Sequence, residues 1–127
     1  ISSHLAVDLT KAAKIKSINF NEPNLITCLA NDYGHENWMK KAIEFYADKG
    51  DLLFFISSSG QSKNIVNAAK NAARKKFKII TFTGFKSNNP LRKIGKINIW
   101  VNSNSYNVIE NVHQTWLLSM VDYILEK

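Results

Sequence analysis

The sequence predicts a single α/β domain in which parallel strands are joined by crossover helices. Short apolar runs alternate with segments whose apolar residues recur every three or four positions, as is typical of a parallel sheet covered by helices. The 127 residues, 45% of them hydrophobic and 21% charged, suit one domain of ordinary size and are too apolar for a disordered chain. We therefore assign residues 1–127 to a single domain.

The first part of the chain predicts three helices and one short strand. Apolar residues keep helical spacing over residues 1–14, and the run Lys16–Phe20 predicts a strand. Further helices are expected from Pro23 to Ala30 and from His35 to Ala47. Because the chain begins inside an amphipathic helix, we expect a strand and a turn to precede residue 1 in a longer protein.

The middle of the chain predicts a strand–helix–strand unit. Leu52–Ile56 is a nearly pure apolar run, too short for a helix, and predicts a central strand covered on both faces. Helical spacing follows from Ile65 to Ala73, and Lys78–Phe82 predicts the next strand. These segments together predict a βαβ unit.

The last part of the chain predicts one more strand and a long helix. Pro90–Ile94 predicts a short helical piece, and Ile97–Val101 predicts a strand. The final helix is expected to run from about Val108 to the C-terminus. Its buried face should comprise Ile109, Val112, Trp116, Met120 and Ile124.

Composition excludes several classes of protein. The net charge of +7 favours an anionic partner, but the basic residues are scattered, and we expect a solvated basic surface and no nucleic-acid partner. The single Cys28 cannot form an internal disulfide, which favours the cytoplasm. The longest apolar run, Leu52–Ile56, is far shorter than the roughly 20 residues of a membrane span, so no membrane association is expected.

The segment Ser57–Ser62 lies between the predicted central strand and the next helix. Its sequence, Ser-Ser-Ser-Gly-Gln-Ser, offers several hydroxyls and backbone N–H groups at a helix start, where a phosphate monoester can bind. Gly60 permits a sharp turn and a close approach of the ligand. The alternative is that Ser59 or Ser62 merely caps the following helix.

Four blocks of sequence resemble sugar isomerase (SIS) domains, and within them the phosphoheptose isomerases. The resemblance implies a three-layer α-β-α sandwich with a flavodoxin-like parallel sheet, whose N-terminal strand and helix, with a Gly-rich turn, would lie before residue 1. It covers essentially the whole chain. The blocks are Gly50–Ser62, His4–Thr10, Ala30–Gly34 and Ile109–His113.

The resemblance also implies roles for individual residues. The phosphate would be held by Ser57, Ser58, Ser59 and Ser62. Asn31 and Asp32 would touch the sugar or the site of a neighbouring subunit.

The acid–base and metal positions of the resemblance are only partly filled. His4 occupies a metal-ligand position, and Asp8 replaces a catalytic glutamate four residues later. Glu110 replaces a glutamine ligand, and Leu118 replaces a second catalytic histidine, so the zinc set is incomplete. Glu110 could be the second proton-transfer residue, or it could join His4 and Asp8 around a metal. His113 is expected to be a structural histidine.

The implied activity is aldose–ketose isomerisation of a sedoheptulose 7-phosphate-like sugar in bacterial surface-polysaccharide synthesis, with Asp8 and Glu110 as catalytic residues. No nucleotide or redox cofactor is expected. The alternative is a non-catalytic phosphosugar-binding or regulatory protein. The resemblance also implies a homotetramer with sites between subunits. Apolar area for such contacts is offered by Trp116, Leu117, Met120 and Tyr123, and the alternative for Trp116 is a place in the core.

Overall fold

The computed structural model describes all 127 residues as five helices and three strands. In chain order they are α1 (Ser2–Lys11), α2 (Pro23–Tyr33), α3 (Trp38–Tyr46), β1 (Leu52–Ile56), α4 (Lys63–Arg74), β2 (Lys78–Thr83), β3 (Ile97–Trp100) and α5 (Tyr106–Leu125). None of the helices combines the length and apolar character that a membrane span requires.

The three strands form one parallel sheet in the order β1-β2-β3. Leu52 pairs with Lys78 and Ile56 with Phe82, so β1 and β2 end together at one edge of the sheet. The sheet continues beyond the strands, because the Ser57 N–H donates to the Phe82 carbonyl at 3.0 Å. The carboxyl ends of the strands lie here, and ligands of open α/β sheets bind beside these ends.

Helices cover both faces of the sheet. On one face, α3 and α4 pack through Ile43, Ile65 and the alanines of α4 against Phe55 and Ile79. Alanine lets α4 approach the strands closely, because it adds no bulk beyond Cβ. On the other face, α1 and α5 pack against Phe82. The three-layer α-β-α sandwich predicted from the sequence is therefore confirmed.

Two strand predictions need correction. β2 is the middle strand, whereas β1 pairs with β2 alone and has an exposed Leu52 at its start. Residues 16–20 form no strand, because their polar groups find partners in the neighbouring helix instead of the sheet. The Ser17 N–H donates to the Thr10 hydroxyl at 3.0 Å, and that hydroxyl donates to the Ser17 carbonyl at 3.1 Å.

The buried face of α5 also differs from the prediction. The residues that the helix buries are Ile109, His113, Leu117 and Val121, whereas Trp116 and Ile124 are exposed. The stripe is thus rotated by about one residue from the predicted one. At Pro90–Ile94 the structure has hydrogen-bonded turns and no helix. The remaining predicted elements are confirmed within a few residues at their ends.

Candidate functional site

The loop Ser57–Ser62 is held by backbone hydrogen bonds to two other segments. The Gly84 N–H donates to the Ser58 carbonyl at 2.8 Å, and the Leu91 N–H donates to the Gly60 carbonyl at 3.1 Å. Gly60 has a φ of +63°, a left-handed conformation that favours glycine. The loop is therefore fixed in shape before any ligand binds.

The hydrogen-bonding groups of the loop are only partly used within the chain. The Ser57 hydroxyl accepts from the Gly60 N–H at 3.2 Å, and the Ser59 hydroxyl accepts from the Gln61 N–H at 3.3 Å. Ser62 precedes α4 but makes no capping hydrogen bond with its side chain. The backbone N–H groups of Ser58, Ser59 and Ser62 have no acceptor in the chain. Free donors at a helix N-terminus form an anion-binding site.

Asn89 packs against Gly60 of the serine loop. Its side chain is almost fully buried and donates to the Thr83 hydroxyl at 3.1 Å and to the Lys86 carbonyl at 2.9 Å. A Cβ atom added to Gly60 would lie 2.1 Å from the Asn89 Oδ1 atom. Asn89 is absent from the residues predicted for the site. The Asn89-Pro90 pair indicates a turn, but no local signal places that turn against Gly60.

An open cavity of about 360 Å³ joins the loop to α5. Ser58 and Glu110 both line this cavity, and the Ser58 hydroxyl donates to the Glu110 carboxylate at 3.3 Å. The structure therefore places a carboxylate directly beside the serine loop. The residues that line the cavity are Ile1, Ser2, Ile56, Ser58, Glu110 and His113.

His113 anchors α5 to the end of β2. Its ring is fully buried, lies edge-on to Phe82, and has its Nε2 atom 3.1 Å from the Thr83 carbonyl. A carbonyl can only accept, so the proton lies on Nε2 and the neutral ring has a free lone pair on Nδ1. Burial lowers the pKa of His113, against the opposing effects of the Thr83 hydrogen bond and the Glu110 charge. The expectation of a structural histidine is consistent with these contacts.

This burial makes stability depend on pH. Below the ordinary pKa of 6.5, the unfolded chain binds a proton at His113 while the folded chain does not. The contribution of His113 to the free energy of unfolding is therefore present in full well above pH 6.5. Below that pH it should fall by up to about 1.4 kcal/mol per pH unit, until the lowered pKa of His113 in the folded protein is reached. Urea unfolding at a series of pH values would measure this slope.

The control for this prediction is an exposed histidine. We expect His113→Gln, whose amide can still donate to Thr83, to have a shallower slope, and His35→Gln to keep the slope of the unmodified protein. An unchanged slope in His113→Gln would show that another group causes the acid sensitivity.

The predicted metal set does not converge. The exposed His4 and the half-buried Asp8 form a pair on α1, with 3.1 Å between Nε2 and Oδ2. Glu110 instead contacts Ser58, and no three His, Cys, Asp or Glu side chains form a group that could hold a metal ion. With Leu118 at the position of a further ligand, the residues present in this chain do not fit the zinc site that the resemblance implies.

Asn31 and Asp32 lie apart from the serine loop. Both are exposed in the last turn of α2, where the Asn31 amide donates to Asp32 at 3.1 Å. Neither lines the cavity beside Ser58. The chain therefore brings together Ser58, Glu110 and His113, but not Asp8, Asn31 or Asp32.

The chain matches one domain family model and several curated proteins. The family model of the SIS domain matches residues 7–84. The phosphoheptose isomerase of Glaesserella parasuis is 41% identical over 68 residues, which are 54% of this chain and 35% of that protein. The phosphoheptose isomerase of Aliarcobacter butzleri is 32% identical over 118 residues, which are 88% of this chain and 62% of that protein.

A solved structure is similar over nearly the whole chain. The phosphoheptose isomerase of Francisella tularensis has a TM-score of 0.88 at 25% identity, and the match covers 99% of this chain and 69% of that one. The chain spans between about a third and two thirds of the length of the curated relatives named above. The fold, the serine loop and these matches together show that the chain belongs to the SIS domain family and is similar to its phosphoheptose isomerases.

Proposed function

We propose that this SIS domain binds a sugar phosphate and belongs to an aldose–ketose isomerase. The substrate is a sedoheptulose 7-phosphate-like ketose phosphate of bacterial surface-polysaccharide synthesis, in the cytoplasm. The main support is the 3.3 Å hydrogen bond from Ser58 to Glu110, which holds a carboxylate at the edge of the anion-binding loop. The similar curated relatives are named phosphoheptose isomerases.

Phosphate binding at the loop would position the sugar. The free N–H groups of Ser58, Ser59 and Ser62 and the N-terminus of α4 would receive the phosphate oxygens. The hydroxyls of Ser57, Ser59 and Ser62 would complete the site, and the Ser58 hydroxyl would join them on turning away from Glu110. Binding of the distant phosphate would hold the carbonyl end of the sugar in the cavity, which reduces the entropic cost of the reaction.

Glu110 would then act as a general base. In an aldose–ketose isomerisation, a base takes the proton from the carbon beside the carbonyl while the carbonyl oxygen gains a proton, and an enediol forms. The base then returns its proton to the former carbonyl carbon while the other hydroxyl loses its proton, so that the carbonyl moves by one position. Glu110 lines the cavity in which the carbonyl end would lie, and a carboxylate there can carry out this transfer.

Asp8 would be the second proton-transfer residue, although α1 directs it toward His4 in this chain. The proposal includes a homotetramer in which Asn31 and Asp32 contribute to the site of a neighbouring subunit. Exposed aromatic residues on α5, among them Trp116 at 40% and Tyr123 at 61%, provide apolar area for such contacts.

A non-catalytic phosphosugar-binding protein is the second candidate. Leu118 can neither transfer a proton nor bind a metal, and Asp8 contacts His4 and does not line the cavity that Glu110 lines. A regulatory protein requires only the serine loop and the cavity. The two candidates differ in turnover and agree on binding.

The deciding experiment is a titration of the full-length protein with sedoheptulose 7-phosphate and other ketose phosphates, in which both binding and aldose formation are measured. We expect Ser59→Ala to weaken binding about tenfold or more, because hydrogen bonds to charged groups contribute about 1.5–3 kcal/mol. Ser119→Ala, an exposed serine on α5, is the matched control and should bind normally.

Each outcome distinguishes the candidates. Turnover together with weaker binding in Ser59→Ala would support the isomerase. Saturable binding that Ser59→Ala weakens, without turnover of any sugar, would favour the regulatory protein. An unchanged affinity in Ser59→Ala would show that the loop is not the phosphate site.

A further inference from the structure

A second cleft lies between α3 and α4, on the opposite side of α4 from the sheet. Its volume is about 110 Å³, and no hydrophobic residue lines it. At 1.5 Å of rise per residue, Lys70 is about 12 Å along α4 from Ser62, so the cleft is separate from the serine loop. The lining residues are Asn37, Lys40, Asn67, Lys70, Asn71 and Arg74.

The acidic residues beside this cleft are already paired. Asn67 and Asn71 of the cleft contact Glu36 and Glu44, respectively. The carboxylates of Glu36 and Glu44 each bind at least one lysine outside the cleft. The ion pairs are Glu36 with Lys63 at 2.8 Å, and Glu44 with Lys41 at 2.9 Å and with Lys75 at 3.7 Å.

The three cations of the cleft have no such partner. Lys40, Lys70 and Arg74 form no ion pair within 4 Å, and only Lys40 acts on a nearby carboxylate, as one of the smaller causes of the lowered pKa of Glu44. Three like charges around one small cleft repel one another, and an anion between them would relieve this repulsion. Because the cations belong to two helices, a bound anion would also join α3 to α4.

The asparagines of the cleft are oriented by contacts between the helices. The Asn67 amide donates to the Glu36 carbonyl at 3.2 Å, and the Asn71 amide donates to the Glu44 carboxylate at 3.4 Å. Asparagine is unfavourable inside a helix, so α4 has these residues despite a cost in helix propensity. Each side-chain amide has two N–H groups and uses one of them here. The second remains available to a ligand.

We propose that this cleft binds the phosphoryl group of a small ligand, at a site distinct from the serine loop. The cleft is small, at about 110 Å³, which suits a tetrahedral anion. No aromatic side chain lines the cleft, so it offers no surface on which a nucleic-acid base could stack. The lysine, arginine and amide N–H donors that line the cleft together can bind the oxygens of a phosphoryl group.

The test uses isothermal titration of the full-length protein with inorganic pyrophosphate at fixed ionic strength. All proteins in the series contain Ser59→Ala, which weakens binding at the serine loop. In this background we expect Lys70→Gln with Arg74→Gln to weaken pyrophosphate binding tenfold or more. The matched control, Lys93→Gln with Lys96→Gln, removes the same charge elsewhere on the surface and should change the affinity less than twofold.

Glutamine preserves helix propensity, and circular dichroism can verify that each variant folds. A change in affinity can therefore be attributed to the removed charges. Equal weakening in both charge variants would show diffuse attraction and would overturn the proposal. Absence of pyrophosphate binding in the Ser59→Ala protein would do the same. Tight binding of a short single-stranded oligonucleotide that depends on Lys70 and Arg74, without pyrophosphate binding, would assign the cleft to nucleic acid instead.

Discussion

Glu110→Gln should lower kcat for the ketose phosphate by about 10²–10⁴-fold, the usual contribution of a positioned general base. Glutamine has the same length and can still contact the Ser58 hydroxyl, but it cannot accept a proton from carbon. Substrate affinity should therefore change little. Steady-state kinetics with the full-length protein would measure kcat and KM separately.

A carboxylate elsewhere on the chain provides the control for this experiment. Glu126 lies just after α5, is exposed and forms no ion pair, so Glu126→Gln should leave kcat unchanged. If Glu110→Gln retained kcat within about twofold, Glu110 could not be the base. If instead KM rose while kcat stayed constant, Glu110 would contribute to sugar binding alone.

Gly60→Ala should both destabilise the fold and weaken phosphate binding. A non-glycine residue at φ +63° costs about 1–3 kcal/mol, and the new Cβ would overlap the buried Asn89 side chain at 2.1 Å, which adds about 1–3 kcal/mol of overpacking. We expect a total loss of about 2–6 kcal/mol in the free energy of unfolding. Urea denaturation and the sugar-phosphate titration would measure the two effects.

Gly34 separates strain from overlap. It also has a positive φ, +83°, but a Cβ there would meet no atom within 4 Å. Gly34→Ala should therefore cost only the strain of about 1–3 kcal/mol and leave phosphate binding intact. A loss in Gly60→Ala confined to the strain of about 1–3 kcal/mol, with phosphate binding retained, would mean that Asn89 moves aside without cost and does not hold the loop.

The sequence predicted the strand, the serine loop and α4 because each has a local signal. A pure apolar run of five residues cannot be an isolated helix, and the glycine and serines after it indicate a turn at a helix start. These signals are contiguous in the chain. The family resemblance added Glu110, whose contact with Ser58 crosses fifty-two positions of sequence.

The errors occurred where long-range contacts decide between local alternatives. α5 has apolar residues on several sides, so helical spacing alone allowed either Val112 and Trp116 or Leu117 and Val121 to face the core. The bond of His113 to the Thr83 carbonyl fixes the second choice. Lys16–Phe20 has the composition of a strand, but strand formation also requires a partner, and Thr10 satisfies Ser17 instead. The role of Asn89 likewise depends on packing against Gly60.

The one-sided pairing of β1 has a practical consequence for handling the protein. Its second edge presents unpaired N–H and C=O groups beside Leu53, Phe54 and Phe55, in a five-residue run without charge. Such an edge recruits other strands, including those of identical molecules in concentrated solution. Residues 1–127 prepared by themselves should therefore form intermolecular sheets, visible as growing light scattering during concentration.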